Sequence, residues 1–198
     1  MDVDFAHAGR NVSLALPTDI AISVHDALSS LEMGLLPIRE LSGKFGAQYR
    51  NPSEPELRLD FLTTKTRAKR GSVFVESLDL ALQPLKFMEF VLEGTTQGAV
   101  IGNDGACLVN LPHPMRYAVH KLIVYGERDL ASRTKAQKDL EQAAALIEWC
   151  LTNAQTALFA AAWDDANSRG RGWQTRANKG RRALLARHRS LDVGRLWS

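Results

Sequence analysis

Three aspartates stand in strand-like surroundings where they could hold divalent metal ions. Residues 1–6, Met-Asp-Val-Asp-Phe-Ala, alternate polar and apolar and read as a strand. Residues i and i+2 of a strand share a face, so Asp2 and Asp4 project together while Val3 and Phe5 are expected to face a core. Two carboxylates about 7 Å apart along a strand can converge on Mg²⁺, which takes a few carboxylate oxygens together with phosphate oxygens and water. A second run, Leu-Arg-Leu-Asp-Phe-Leu-Thr at 57–63, puts Leu57, Leu59 and Phe61 on one face and Asp60 on the other with Arg58. A lone acid in an apolar strand is costly to bury without a partner, and a metal shared with Asp2 and Asp4 would supply one. Asp-x-Asp alone is a weak motif, because any alternating strand with one solvent face can produce it.

The elements that must position these residues follow from pattern. A helix is expected from about Pro17-Thr18-Asp19 to Met33, stopped by Gly34, then short strands at 35–38 and 44–50 and the strand at 57–63. Residues 73–85 contain extended segments with a short helix. Residues 86–94, 97–102 and 106–111 read as three strands, the last two joined by Gly-Asn-Asp-Gly. After Pro112-His113-Pro114 the pattern turns helical, with helices near 114–128, 134–151, 153–168 and 176–188 and an Arg-Gly-Arg-Gly linker at 169–172. Strands first and helices after predict an α+β fold, a mixed sheet followed by a C-terminal helical region.

On the first of these helices Tyr117, Lys121 and Arg128 fall on one stripe beside an apolar stripe of Met115, Ala118, Val119 and Leu122. Lys121 is either a lysine reaching along the edge of a core or a point charge for phosphate oxygens. The next helix packs through Ala136, Leu140, Ala143, Ile147 and Leu151, with Lys135, Asp139 and Gln142 on the adjacent stripe, where Asp139 could simply pair with Lys135. His113, between two prolines, is a candidate base or nucleotide contact with a structural role as the alternative. His7 and His120 have no evident partner.

The 198 residues, 45% hydrophobic and 24% charged, suffice for one α/β domain with a helical appendage. No apolar run is long enough to span a membrane, and the acidic start MDVDFAHAGR is unlike a signal peptide, so a cytoplasmic protein is expected. Cys107 and Cys150 lie far apart and away from any histidine cluster, and both are expected to be small core residues. The net charge of +3 is unevenly spread: residues 169–198 hold nine Lys/Arg and one acid, net +8, while the preceding 168 hold 16 basic and 21 acidic residues, net −5. A basic end on an acidic body suggests an anionic partner such as RNA, with Trp173 and Trp197 available for stacking. The stretch from Arg169 onward is expected to be dispensable for folding of the body.

The pattern Asp-Val-Asp-Phe, followed by a strand carrying Leu-Asp-Phe, resembles the polymerase-β-like nucleotidyltransferase superfamily. The run LPHPMRYAVHKLIVYGER, then KAQKDLEQAAALIEW, is similar to one bacterial nucleotidyltransferase-fold family in it, and more distantly to the toxins of abortive-infection (type IV) toxin–antitoxin pairs. The resemblance covers about residues 1–152 and is most specific over 113–149. It implies that Asp2, Asp4 and Asp60 hold two Mg²⁺ ions and a nucleoside triphosphate, with Asp60 also able to deprotonate an acceptor hydroxyl. It implies that Lys121 and Asp139 belong to the active-site motifs, flanked by Arg128 and Lys138, and that Lys121 and Arg128 contact the triphosphate in the cleft of the triad. The corresponding division is a partial nucleotidyltransferase domain at 1–112, a helical region completing the cleft at 113–168 and a basic tail at 169–198. The superfamily's Gly-Ser turn, whose amides cradle a triphosphate before the Asp-x-Asp strand, has no counterpart before Met1. The chain as numbered is therefore expected to be N-terminally truncated and incomplete as an enzyme, with a partner protein one way of covering the gap. The acceptor (protein, RNA or small molecule) is left open. The competing functions are a non-catalytic nucleotide- or partner-binding module of the same fold, and a structural α+β protein with chance acids.

Overall fold

The structure, a computed structural model, describes residues 2–7, 23–39, 45–65, 71–103, 105–189, 191 and 196–197. The fold is α+β, and the chain divides into two compact units, Met1–Leu92 and Glu93–Ser198. Among the described residues no helix is long and apolar enough to cross a membrane.

The first unit is a mixed sheet of β1 (Asp2–His7), β2 (Leu36–Arg39), β3 (Phe45–Arg50), β4 (Arg58–Thr64), β5 (Val73–Val75) and β6 (Leu80–Leu85), with the short helices α1 (Val24–Ser30) and α2 (Met88–Leu92). Of the helix expected from about residue 17, the segment before Ser23 lies outside the described residues. Ser23 caps α1, its hydroxyl accepting from the Asp26 amide at 3.2 Å. β4 is the hub of the sheet. It runs parallel to β1, antiparallel to β3 through Arg58–Asp60 and parallel to β6 through Leu62–Thr64. Leu35, Tyr49, Leu59, Leu80 and Leu82 form the core, with Val24, Leu28, Leu57 and Phe61 packed against it. Burial pushes the Tyr49 phenol up to about 12.

Three expectations change in this unit and the hairpin after it. Residues 88–92 are helical, not extended: Phe87 takes a left-handed φ of 65°, which ends the extended path, and the following turn buries Met88, Phe90 and Val91. Phe5, expected in the core, is 50% exposed and stacks on Phe61 at 5.3 Å between centroids. Among the described residues β1 pairs only with β4, so Phe5 is covered from one side. Cys107 is exposed while Cys150 is buried, both as free thiols. Cys107 lies in the two-stranded hairpin of β7 (Thr95–Gly102) and β8 (Gly105–Pro112), whose strands are paired with each other and with no other described strand.

The second unit adds α3 (Pro114–Glu127), α4 (Arg133–Thr152), α5 (Thr156–Ser168) and α6 (Arg171–Arg187) to that hairpin. α3 is its axis and packs against the other three helices. Pro114 opens it, and the His113 imidazole caps it, Nδ1 accepting from the Met115 amide at 3.3 Å. Met115, Ala118, Val119, Leu122 and Ile123 are fully buried, the i, i+3, i+4, i+7, i+8 face of one helix. On α4 the buried stripe takes in Leu140, Ala143 and Ile147 as expected, but also Asp139, Ala144 and Cys150.

The described part of the basic C-terminal stretch packs into this unit. α6 starts at Arg171, shortening the expected linker, and buries Ala177, Gly180 and Leu184. Arg169 is tied to Asp165 (3.0 Å) and to Glu93. Trp197 is no free stacking platform, since its ring packs edge-on against Trp163 and Phe159 at 4.5 and 5.1 Å between centroids. The α3–α6 approach depends on two glycines: a Cβ at Gly180 would collide with the Leu122 carbonyl, and one at Gly126 with the Arg176 backbone. Because backbone cannot swing aside as a side chain can, Gly180→Ala is expected to cost about 3 kcal/mol, the upper end for overpacking. A urea melt checks this, and an unchanged midpoint would mean that the helices separate freely.

Candidate active site

The carboxylate cluster rests on the pairing of β1 with β4. Their register sets Asp4 beside Asp60 and Asp2 beside Arg58. Register partners in neighbouring strands share a face of the pleat, so backbone positions 2, 4, 58 and 60 belong to one face. The side chains of Asp2 and Asp4 lie outside the described residues. Asp60 is 8% exposed. Its Oδ2 is ion-paired with Arg58 Nη2 at 3.0 Å, and its Oδ1 is buried with no hydrogen-bond partner among the described residues. The shared face of Arg58 and Asp60 follows the alternation of the strand, and Asp60 is buried on it. A buried carboxylate oxygen without a donor carries the full desolvation penalty. A divalent cation is the kind of group that would satisfy it, so Asp60 fits a metal ligand. Among the described residues no three His, Cys, Asp or Glu side chains gather as a metal cluster.

In the second unit Lys121, Arg128 and Asp139 come together. Asp139 is 3% exposed on α4. Its Oδ1 lies 3.5 Å from Lys121 Nζ and its Oδ2 2.5 Å from Arg128 Nε. Lys135, the i−4 neighbour, is exposed, and the partners of Asp139 come from α3 and its C-cap instead. Lys121 Nζ also sits 4.7 Å above the Tyr117 ring, a cation–π contact that fixes its direction. Two cations on one carboxylate leave a net charge of +1, suited to anionic oxygens. Asp139 itself, with a cation on each oxygen, is held as an anion-side anchor and has no spare oxygen aimed elsewhere.

Two buried polar groups nearby escaped the pattern reading. His120 stacks on Tyr117 at 6.2 Å between centroids, and among the described residues neither ring nitrogen has a hydrogen-bond partner. Burial, reinforced by the Lys121 charge, pulls its imidazole down to about 3, so it is neutral at physiological pH. Gln142 Oε1, one turn beyond Asp139, is likewise buried without a partner among the described residues. Sequence alone offered no signal for either, because burial between packed helices is a tertiary property. His113, a candidate base by its rigid setting, is occupied in capping α3.

With this geometry in view, comparison with known proteins decides the family. A nucleotidyltransferase family model matches residues 1–168. The chain belongs to this nucleotidyltransferase family. The match takes in β1, β4, α3 and α4, and so Asp2, Asp4, Arg58, Asp60, Lys121, Arg128 and Asp139. No curated protein and no solved structure matches the chain. Membership establishes nucleotidyl transfer as the general activity of the family and a nucleoside triphosphate as the kind of substrate it implies.

Proposed function

We propose that this nucleotidyltransferase moves a nucleoside monophosphate from a nucleoside triphosphate to an acceptor hydroxyl with two Mg²⁺ ions held by Asp2, Asp4 and Asp60. The observation that carries the reading is Asp60: register partner of Asp4, buried, with one carboxylate oxygen lacking a donor among the described residues. The acceptor oxygen attacks the α-phosphorus, the bond from that phosphorus to the bridging oxygen breaks, and pyrophosphate leaves. The acceptor proton passes to the Asp60 carboxylate. Bound divalent ions would offset charge on the attacking and leaving oxygens of this in-line displacement. Lys121 and Arg128 serve as cations for the triphosphate, and Asp139 acts through them, holding both side chains in place. Arg58, 3.0 Å from Asp60, orients that carboxylate. We place the reaction in the cytoplasm, where nucleoside triphosphates and Mg²⁺ are supplied, and favour RNA as the anionic partner because of the basic C-terminal stretch.

The test is Mg²⁺-dependent pyrophosphate release by the full chain with each of the four common triphosphates. Lys121→Ala is expected to raise KM for the triphosphate roughly tenfold, the loss of about one charge-assisted contact. Unchanged kinetics would remove Lys121 from the site. Triphosphate binding with no turnover under any condition would favour the non-catalytic binding module over this reading.

A further inference from the structure

α6 carries six cations, Arg171, Arg176, Lys179, Arg181, Arg182 and Arg187, and no acid. The fold divides them into two groups. Arg176 pairs with Glu127, and Arg187 Nε lies 2.6 Å from Glu141 Oε1. Lys179 Nζ donates to the Gly126 carbonyl at 3.1 Å, and the Arg181 guanidinium sits 4.8 Å over the Trp197 ring. These four fasten α6 to its own unit. Arg171 and Arg182 do neither. Both are exposed, and among the described residues neither has a carboxylate within 4.0 Å. Eleven residues apart on a helix of 3.6 residues per turn, they lie on one stripe, about 16 Å from each other. Exposed Thr175 and Asn178 fall between them on that stripe, and exposed Arg189 follows in the chain just past the helix end.

We infer that this outer stripe of α6, Arg171 and Arg182 with Arg189 beyond, is a binding face for the phosphate backbone of RNA. The inference rests on the reading of RNA as the anionic partner and names the surface that would take it. A solvated helix face normally interleaves both signs; this one has a single sign. Guanidinium groups keep their charge at all physiological pH and grip phosphate oxygens with two parallel hydrogen bonds. Cations spread over about 16 Å on a convex helix cannot converge on one phosphate. They suit a repeating polyanion whose charges recur along its length.

The experiment is fluorescence anisotropy of a labelled single-stranded RNA oligonucleotide with the full chain, without triphosphate, across a salt series. Arg171→Glu/Arg182→Glu is expected to weaken binding at least tenfold. The milder Arg171→Gln/Arg182→Gln is expected to lower the salt slope by about 1.4, two contacts at roughly 0.7 each for single strands. Arg50→Glu/Lys65→Glu, a matched charge change in the first unit, is expected to weaken binding much less. Equal losses for the two reversals, with wild-type binding intact, would overturn the stripe while leaving RNA as a partner. No RNA binding by the wild type at low salt would overturn both. Displacement by poly-L-glutamate as effective as by unlabelled RNA at equal charge would overturn RNA in favour of an acidic protein. Pyrophosphate release, measured separately, reports on the transfer reaction and is not expected to change in these variants when the assay contains no RNA.

Discussion

Asp60→Asn is expected to lower Mg²⁺-dependent pyrophosphate release by about 10²–10³-fold, the range for removing one group that stabilises developing charge in a transition state. The substitution keeps the shape of the side chain and can still accept from Arg58 Nη2, now 3.0 Å from Asp60 Oδ2. It removes the negative charge and the proton-accepting Oδ1. Fold should therefore be retained while turnover is lost, which separates a site residue from a packing residue. The folded state is expected to lose little stability, because burying an uncharged amide costs less than burying a carboxylate with one oxygen unpartnered. Thermal melting alongside the kinetics, and binding of Mn²⁺ as a paramagnetic stand-in for Mg²⁺, provide the check. Near wild-type turnover would refute the carboxylate assignment, and unfolding would point to the Arg58–Asp60 pair as a structural tie.

Asp139→Ala is expected to destabilise the second unit by about 3 kcal/mol. Breaking a buried ion pair by deleting one partner typically costs 3–5 kcal/mol. The lower end applies because the Lys121 and Arg128 side chains are 16% and 26% exposed and water can partly solvate them once the 4%-exposed carboxylate is gone. Without Asp139 the two cations also repel each other across α3. Asp139→Asn, which preserves an acceptor oxygen, is expected to cost less. Urea unfolding of both variants measures the difference. If Asp139 positions Lys121 and Arg128 for a triphosphate, the Asn variant should show a raised KM at a concentration of denaturant where it remains folded. An Asp139→Ala protein as stable as wild type would mean that the two pairs contribute no net stabilisation.

The sequence by itself determined much about this protein, and what it determined was local. Alternation in 57–63 separated Leu59 from Asp60 and set Arg58 beside it, because the side-chain period of a strand is two wherever the strand lies in the fold. Helical periodicity in 114–128 predicted the buried face of Met115, Ala118, Val119 and Leu122, all fully buried. The α+β class followed from the order of the elements, and the Asp-x-Asp and Lys-Asp motifs resembled the nucleotidyltransferases to which the chain belongs. Local pattern failed where burial depends on what packs from outside. Alternation at 86–94 looked extended, yet a left-handed Phe87 and a core ready to take Met88, Phe90 and Val91 favour a helical turn. Only tertiary structure gave Asp139 its partners, since Lys121 is eighteen residues away and reaches it across two packed helices, whereas periodicity could offer only Lys135. The same holds for the basic C-terminal stretch. Composition counted its charges correctly but could not sort them. The close approach of α6 to α3 at Gly180 and Gly126 decides which cations are spent on Glu127, Glu141 and the end of α3, and which remain on the outer face.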